Sequence, residues 1–132
     1  MSVKPDWIHS FVVSEIDQTA FRDLSGDVNP LHFDAAFASR LGFEGPVVFG
    51  ALIVAKVSGF LGATFPGRGC VWSKLAIDFR APLYVNQEAV LNLTRSHSND
   101  ELGIWELSFT IVFGNAVIAT GSVQVMRPRE RR

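Results

Sequence analysis

The stretch SGDVNPLH at residues 25–32 brings a carboxylate, an amide, a proline and an imidazole into eight positions. Asp27 and His32 are the side chains of this stretch that can exchange protons, and a carboxylate with a neutral imidazole can share a water or a substrate proton. Two such groups five positions apart, with four residues between them, are weak evidence of a site when taken alone. The local structure must therefore decide whether the two side chains meet.

The residues around this pair predict a helix. Asn29 is a good N-cap, Pro30 suits the first helical position, and Gly42 supplies a stop after LHFDAAFASRL. His32 then lies in the first turn, where the helix dipole disfavours imidazolium and keeps the ring neutral. Asp27 lies on the non-helical approach, so we expect the chain to fold back and both side chains to face one small volume.

The most apolar stretch, residues 45–67, predicts a core helix. Its length approaches that of a membrane span, but Lys56 and the internal glycines argue against crossing a bilayer. Because the segment is hydrophobic on most faces, we expect a helix of about 15 residues that starts near Gly50 and is enclosed nearly all round by protein.

Four later segments alternate between apolar and polar residues and predict strands: Val71–Phe79, Ala89–Leu93, Trp105–Phe113 and Val117–Val125. Gly114-Asn115 predicts a two-residue hairpin, and WIHSFVV at residues 7–13 offers a possible fifth strand. We predict an α+β fold in which an antiparallel sheet curls around the apolar helix. The length predicts one domain, residues 1–132, with 127–132 a frayed basic tail.

Composition excludes several classes of function. A formal net charge of −1 gives no positive field for nucleic acid or an anionic membrane. Cys70 is the one cysteine, so no internal disulfide can form, and with no apolar run resembling a signal peptide we expect a cytoplasmic protein. No Cys/His spacing fits zinc and no glycine-rich loop fits a nucleotide, so we expect neither a metal nor a cofactor.

The run FRDLSGDVNPLHFDAAFASRLGFEGPVVFG resembles the signature of MaoC-like, (R)-specific enoyl-CoA hydratases, and the resemblance extends over roughly residues 15–126. It implies a hot-dog fold, in which a sheet wraps a central helix. It also implies that Asp27 and His32 hold the water that adds across a trans-2-enoyl thioester to give an (R)-3-hydroxyacyl thioester, or catalyse the reverse dehydration. Asn29 would shape the motif, and Ser58 stands where the family has a serine supporting the aspartate.

Hydration also needs a donor for the negative charge on the thioester oxygen. The N–H of Gly50, at the start of the core helix, is the candidate. The family usually has His-Gly at this point, whereas this chain has Phe49-Gly50. Phe49 either fills the core or borders the substrate pocket, and the sequence leaves both open.

The resemblance implies an acyl-CoA or acyl carrier protein thioester as substrate, and a homodimer with a partner sheet. Open sheet edges favour the dimer independently. Two alternatives remain open. One is a hot-dog acyl thioesterase, and the other is a non-catalytic subunit that binds acyl thioesters. The intact motif disfavours the first, and the joint presence of Asp27, His32, Gly50 and Ser58 disfavours the second.

Overall fold

Five antiparallel strands and three α-helices make up the fold in the computed structural model, which describes residues 4–131. The strands form one sheet in the order β1-β3-β4-β5-β2. In chain order the elements are β1 (Trp7–Val12), α1 (Glu15–Ser25), α2 (Ala35–Arg40), α3 (Gly50–Ala63), β2 (Val71–Phe79), β3 (Glu88–Asn99), β4 (Ile104–Phe113) and β5 (Ala116–Met126).

The inner face of the sheet forms the core with one side of α3. The alternating residues of β3, β4 and β5 are buried there, as their period of two predicts, except Phe113 and Val117 beside the β4–β5 turn, which are exposed by 37% and 42%. Gly114 and Asn115 form the turn between β4 and β5, and Gly114 adopts φ 56°. The possible fifth strand is present as β1, which pairs with β3. The predicted antiparallel sheet against an apolar helix is confirmed.

The apolar helix α3 begins at Gly50 as predicted, but the expected enclosure is wrong for the single chain. Ile53, Val57, Phe60 and Leu61 are buried against the sheet. The other side of the helix is exposed and consists mainly of small residues: Ala51, Ala55, Ser58, Gly59 and Gly62. One five-stranded sheet has a single concave face, so it covers only one side of a helix.

Strand β2 lies at the edge of the sheet and is more exposed than its alternation predicts. Val71, Leu75 and Phe79 are exposed by 48%, 36% and 52%. A bulge between Trp72 and Lys74 shifts the register, so Trp72 lies opposite Val125 and shares the inner face with Leu75. Strict alternation over the predicted strand Val71–Phe79 would put Trp72 and Leu75 on opposite faces. This expectation is wrong, because one extra residue reverses the side on which every earlier side chain lies.

The helix predicted from Pro30 onwards is interrupted. Pro30–His32 form a short 3-10 turn, capped by the Asn29 side chain, which accepts a hydrogen bond from the Leu31 N–H. Asp34 then caps α2 by accepting from the Phe37 N–H at 3.1 Å. Because this aspartate starts a new helix, His32 ends a turn and does not lie at a helix N-terminus. The dipole argument for its neutrality is wrong.

Helix α1 was not predicted from the sequence, although its ends carry recognisable signals. Ser14 and Asp17 form a reciprocal capping box, and Gly26 closes the helix in a left-handed conformation with φ 76°. Donation by the Ser14 backbone N–H lowers the pKa of Asp17 below its ordinary value of 3.8, and the charge of Lys56, 3.6 Å away, assists. The cap and the ion pair therefore favour the ionised Asp17.

Asp17→Asn is expected to destabilise the protein in a pH-dependent way. A carboxyl whose pKa is lower in the folded state contributes stability above its unfolded pKa, and this contribution disappears as the pH falls through the folded pKa. The Tm difference between wild type and variant should therefore shrink from pH 7 to pH 3. Calorimetry at both pH values measures it, and an unchanged difference would contradict the linkage.

Candidate active site

His32 is held at one ring nitrogen and free at the other. Its Nδ1 lies 2.6 Å from the carbonyl oxygen of Val47. A carbonyl oxygen can only accept, so Nδ1 carries the hydrogen and the neutral ring has its lone pair on Nε2. The imidazole also stacks on the ring of Phe49, with 3.9 Å between centroids. These contacts leave Nε2 as the atom of His32 that can exchange protons.

Asp27 lies on the exposed loop between α1 and the Pro30–His32 turn. Its Oδ1 accepts the Asn29 N–H at 3.1 Å, and its own N–H donates to Ser25 Oγ. The Asn29 side chain accepts the next free N–H, that of Leu31. Each short polar residue thus fixes the backbone two positions on, which gives the loop one conformation. Asn29 shapes this loop, as the resemblance implies.

No hydrogen bond or ion pair within residues 4–131 joins Asp27 and His32 directly. Each keeps an unoccupied acceptor, since the bonds above use only Oδ1 of Asp27 and Nδ1 of His32. A water or substrate atom between them would have to complete the arrangement, and their convergence on one small volume stays a prediction.

His32 and Gly50 meet in the wall of one cavity. This cavity, of about 390 Å³, lies between the 3-10 turn, the start of α3 and the end of β2. Gly50 is the first residue of α3, and its N–H has no acceptor within residues 4–131, because the helical bonds begin with Leu52 and Ile53 donating to Phe49. One cavity is thus lined by a histidine with an unpaired ring nitrogen and by a glycine with an unpaired backbone N–H, within residues 4–131.

A larger cavity, of about 600 Å³, lies on the other side of the 44–47 segment and also reaches His32. Its walls are polar and include Gln18, Glu44 and Tyr84. Within the described part of the chain, no group of three or more His, Cys, Asp or Glu side chains could hold a metal ion.

Ser58 and Phe49 lie away from these cavity walls. Ser58 is on the exposed side of α3, and no hydrogen bond connects it with Asp27 within the described chain. Phe49 is only 2% exposed, and its ring packs behind His32 against Phe21 and Phe33. The structure places Phe49 in the core and outside both cavity walls, so the pocket role that the sequence left open has no support in this arrangement.

Gln18 is a buried residue that the sequence analysis missed. It is 1% exposed and is the buried polar side chain of the described core. Its Nε2 donates to the carbonyl oxygens of His32 and Val47, both at 3.1 Å, and its Oε1 accepts the Phe49 N–H at 3.0 Å. One signal in the sequence could have revealed it. Gln18 lies three positions before the inward-facing Phe21, and residues three positions apart lie on the same face of a helix.

Comparisons with known proteins agree on one family. The model of the MaoC-like domain matches residues 3–106. An (R)-specific enoyl-CoA hydratase of Aeromonas caviae is 36% identical over 110 residues, covering 83% of this chain and 82% of that protein. A 3-hydroxybutyryl-CoA dehydratase of Methylorubrum extorquens is 27% identical over 118 residues, covering 89% and 75%.

The fold comparison gives the same answer. The solved structure of the (R)-hydratase from A. caviae involved in PHA biosynthesis superposes with a TM-score of 0.86 at 32% identity, over 97% of this chain and 98% of that one. The hot-dog fold predicted from the sequence is confirmed. With most of its length matched by the family model and by a relative of similar size, this chain belongs to the MaoC-like domain family.

Proposed function

We propose that this protein is a hydro-lyase that adds water to a trans-2-enoyl thioester to give an (R)-3-hydroxyacyl thioester, or catalyses the reverse dehydration. The observation that carries the proposal is the cavity in which His32, with a free Nε2, meets the free N–H of Gly50. The similarity to a hydratase and a dehydratase of enoyl and 3-hydroxyacyl thioesters supports the same reaction.

The proposed reaction needs only groups of this chain. Neutral His32 takes a proton from water at Nε2 while the Asp27 carboxylate accepts the other O–H and orients the water. The water oxygen bonds to the β-carbon, and the electron pair of the double bond moves toward the thioester oxygen. The imidazolium then returns its proton to the α-carbon, so the ring ends neutral and one water has been added.

Gly50 would supply the hydrogen-bond donor that the thioester oxygen needs. Charge develops on the thioester oxygen as the β-carbon is attacked, and a backbone N–H already aimed at that oxygen stabilises it without reorganisation. The first amides of a helix have no partner in the helix and point toward its N-terminal end. Gly50 occupies this position in α3, with His32 in the same cavity wall. Ser58 would support Asp27, as the resemblance implies.

The proposal is tested by mixing the protein with crotonyl-CoA. Hydration removes the enone absorbance, and chiral analysis should identify (R)-3-hydroxybutyryl-CoA. Release of free thiol without hydration would instead identify a thioesterase, and binding with neither change would identify a non-catalytic subunit. A panel of CoA and acyl carrier protein thioesters of increasing length then identifies the carrier and the acyl chain, both of which the proposal leaves open.

We also propose a homodimer. The exposed small-residue side of α3 and the edge strand β2, with Val71, Leu75 and Phe79 exposed, are the apolar surfaces that a second copy would cover. Light scattering at micromolar concentration is expected to give twice the chain mass of 14.5 kDa. A particle of 14.5 kDa would contradict the dimer.

Location and domain organisation are further proposals. We infer a single domain over residues 1–132, supported by the one sheet that contains all five described strands.

We infer a reducing compartment, the cytoplasm, from the single cysteine, Cys70, whose Sγ donates to the Leu61 carbonyl at 3.4 Å. None of the helices in residues 4–131 is long and apolar enough to span a membrane. Cell fractionation tests the location.

A further inference from the structure

The carboxamide of Gln18 uses both of its N–H donors and its oxygen. The three partners belong to residues 14, 29 and 31 positions away in the chain: the end of the 3-10 turn, the following extended segment and the start of α3. The amide is only 1% exposed, and hydrogen bonds shielded from bulk solvent are stronger and more directional than bonds at the surface. Gln18 thus connects α1 to three backbone segments around His32.

Val47 is the residue through which Gln18 reaches the imidazole. Its carbonyl oxygen accepts two hydrogen bonds, from Gln18 Nε2 at 3.1 Å and from His32 Nδ1 at 2.6 Å. These two donors occupy both lone pairs of the oxygen. The direction and tautomer of the imidazole therefore depend on this carbonyl, to which Gln18 also donates while it holds the carbonyl of His32.

We propose that Gln18 is a positioning residue of the active site, holding His32 with its hydrogen on Nδ1 and its lone pair on Nε2. The role deepens the function proposed above and rests on it. Without the amide, the His32 carbonyl loses its Gln18 donor, so residue 32 is less firmly fixed beside the Val47 carbonyl. The ring can then turn away from that oxygen and carry its hydrogen on Nε2, which removes the proton acceptor. Gln18 also fixes the Phe49 N–H, one residue before Gly50, and so connects both reacting groups.

Hydrogen bonds other than those of Gln18 also hold the backbone at residues 47 and 48, so the positioning role of Gln18 can be tested apart from folding. The Val47 N–H donates to the Leu31 carbonyl at 3.1 Å, and the Val48 N–H donates to the Leu83 carbonyl at 2.8 Å. These bonds hold the 47–48 backbone without Gln18. Loss of the amide should therefore act on the orientation of the imidazole more than on the path of the chain.

The first test is a long-range ¹⁵N NMR measurement of the histidine rings in the wild type and in Gln18→Met. Methionine has the same unbranched length and no amide. The His32 signal is identified by its loss in His32→Ala. We expect the Nδ1–H tautomer in the wild type and a mixture of tautomers in Gln18→Met. An Nε2–H tautomer in the wild type would overturn the proposal, whatever the variants do.

The second test is kinetic, with crotonyl-CoA as substrate. Gln18→Met should lower kcat about 10-fold, because a misplaced proton-transfer group costs rate, and should leave KM within about 2-fold. Ile111→Val, a small truncation in the fully buried part of β4, is the control for general destabilisation and should retain wild-type kcat. An unchanged tautomer or an unchanged kcat in Gln18→Met would overturn the positioning role.

Gln18→Glu keeps the proposal falsifiable if the methionine variant does not fold. Protonated glutamic acid keeps one O–H donor and an acceptor for the Phe49 N–H, and ionisation removes that donor. Its kcat relative to wild type should therefore fall as the pH rises from 6 to 8, and a constant ratio would overturn the proposal. An inactive wild type would instead refute the proposed reaction, and the NMR result would still decide whether Gln18 positions His32.

Discussion

Asp27→Asn and His32→Ala are each expected to lower turnover on an enoyl thioester by at least about 10²-fold, because Asp27 is proposed to orient the attacking water and His32 to take its proton. Asparagine cannot accept as a carboxylate does, and alanine removes the Nε2 lone pair. Steady-state kinetics with crotonyl-CoA measures both losses.

The fold should survive both changes. Asp27 is exposed, and asparagine keeps the oxygen that accepts the Asn29 N–H. After His32→Ala, the Val47 carbonyl still accepts from Gln18. Matched controls are Asp23→Asn, on the exposed end of α1, and His97→Ala, on an exposed part of β3, and both should keep full activity. Near wild-type turnover in either test variant, with an unchanged circular dichroism spectrum, would refute the assignment.

Most of the sheet could be predicted because the alternation of apolar and polar residues along each strand indicates which side chains are buried. Leu107, Phe109 and Ile111 are buried and alternate with exposed polar residues, so the period alone identifies the inner face of β4. The same reasoning fails at β2, because the bulge after Trp72 leaves no mark in the alternation. It also fails for the outer side of α3, since an apolar surface does not reveal whether the same chain or another one covers it.

The site was predictable only where neighbours in sequence create it. The loop around Asp27 and the turn with His32 are made by residues two or three positions apart, so the motif carries them. Asp34 interrupts the predicted helix because Asn29 and Asp34 are both good N-caps, and helix propensity does not decide which of them starts the helix. The contacts of Gln18 join residues 14 to 31 positions apart and depend on the folded chain, so spacing could not reveal them.

Gly50→Pro is the variant expected to isolate the backbone donor. Proline is favoured at the first position of a helix, where no intrahelical bond is lost, and Gly50 holds that position in α3. Phe49 has φ −57° and ψ 127°, which is the extended conformation that a residue before proline prefers. The substitution should therefore keep the helix and remove only the N–H proposed to stabilise the thioester oxygen.

Gly50→Ala is the matched control, because any side chain at this position approaches the ring of Phe79. An ideal Cβ would lie 2.9 Å from the Phe79 Cζ, so both variants must displace this ring, which is half exposed. Alanine keeps the N–H and proline does not. We expect kcat for Gly50→Pro to fall about 10²–10³-fold below that for Gly50→Ala, the usual cost of one oxyanion donor.

The comparison between the two variants tests the assignment, since both place a Cβ beside the Phe79 ring and only proline replaces the N–H. Equal kcat values close to that of the wild type would show that the reaction does not use the Gly50 N–H and would move the oxyanion donor elsewhere. A fall in Gly50→Ala as large as that in Gly50→Pro would assign the loss to the displaced Phe79 ring. Only a deficit confined to proline follows from a backbone donor, because the N–H is the group that proline lacks and alanine retains.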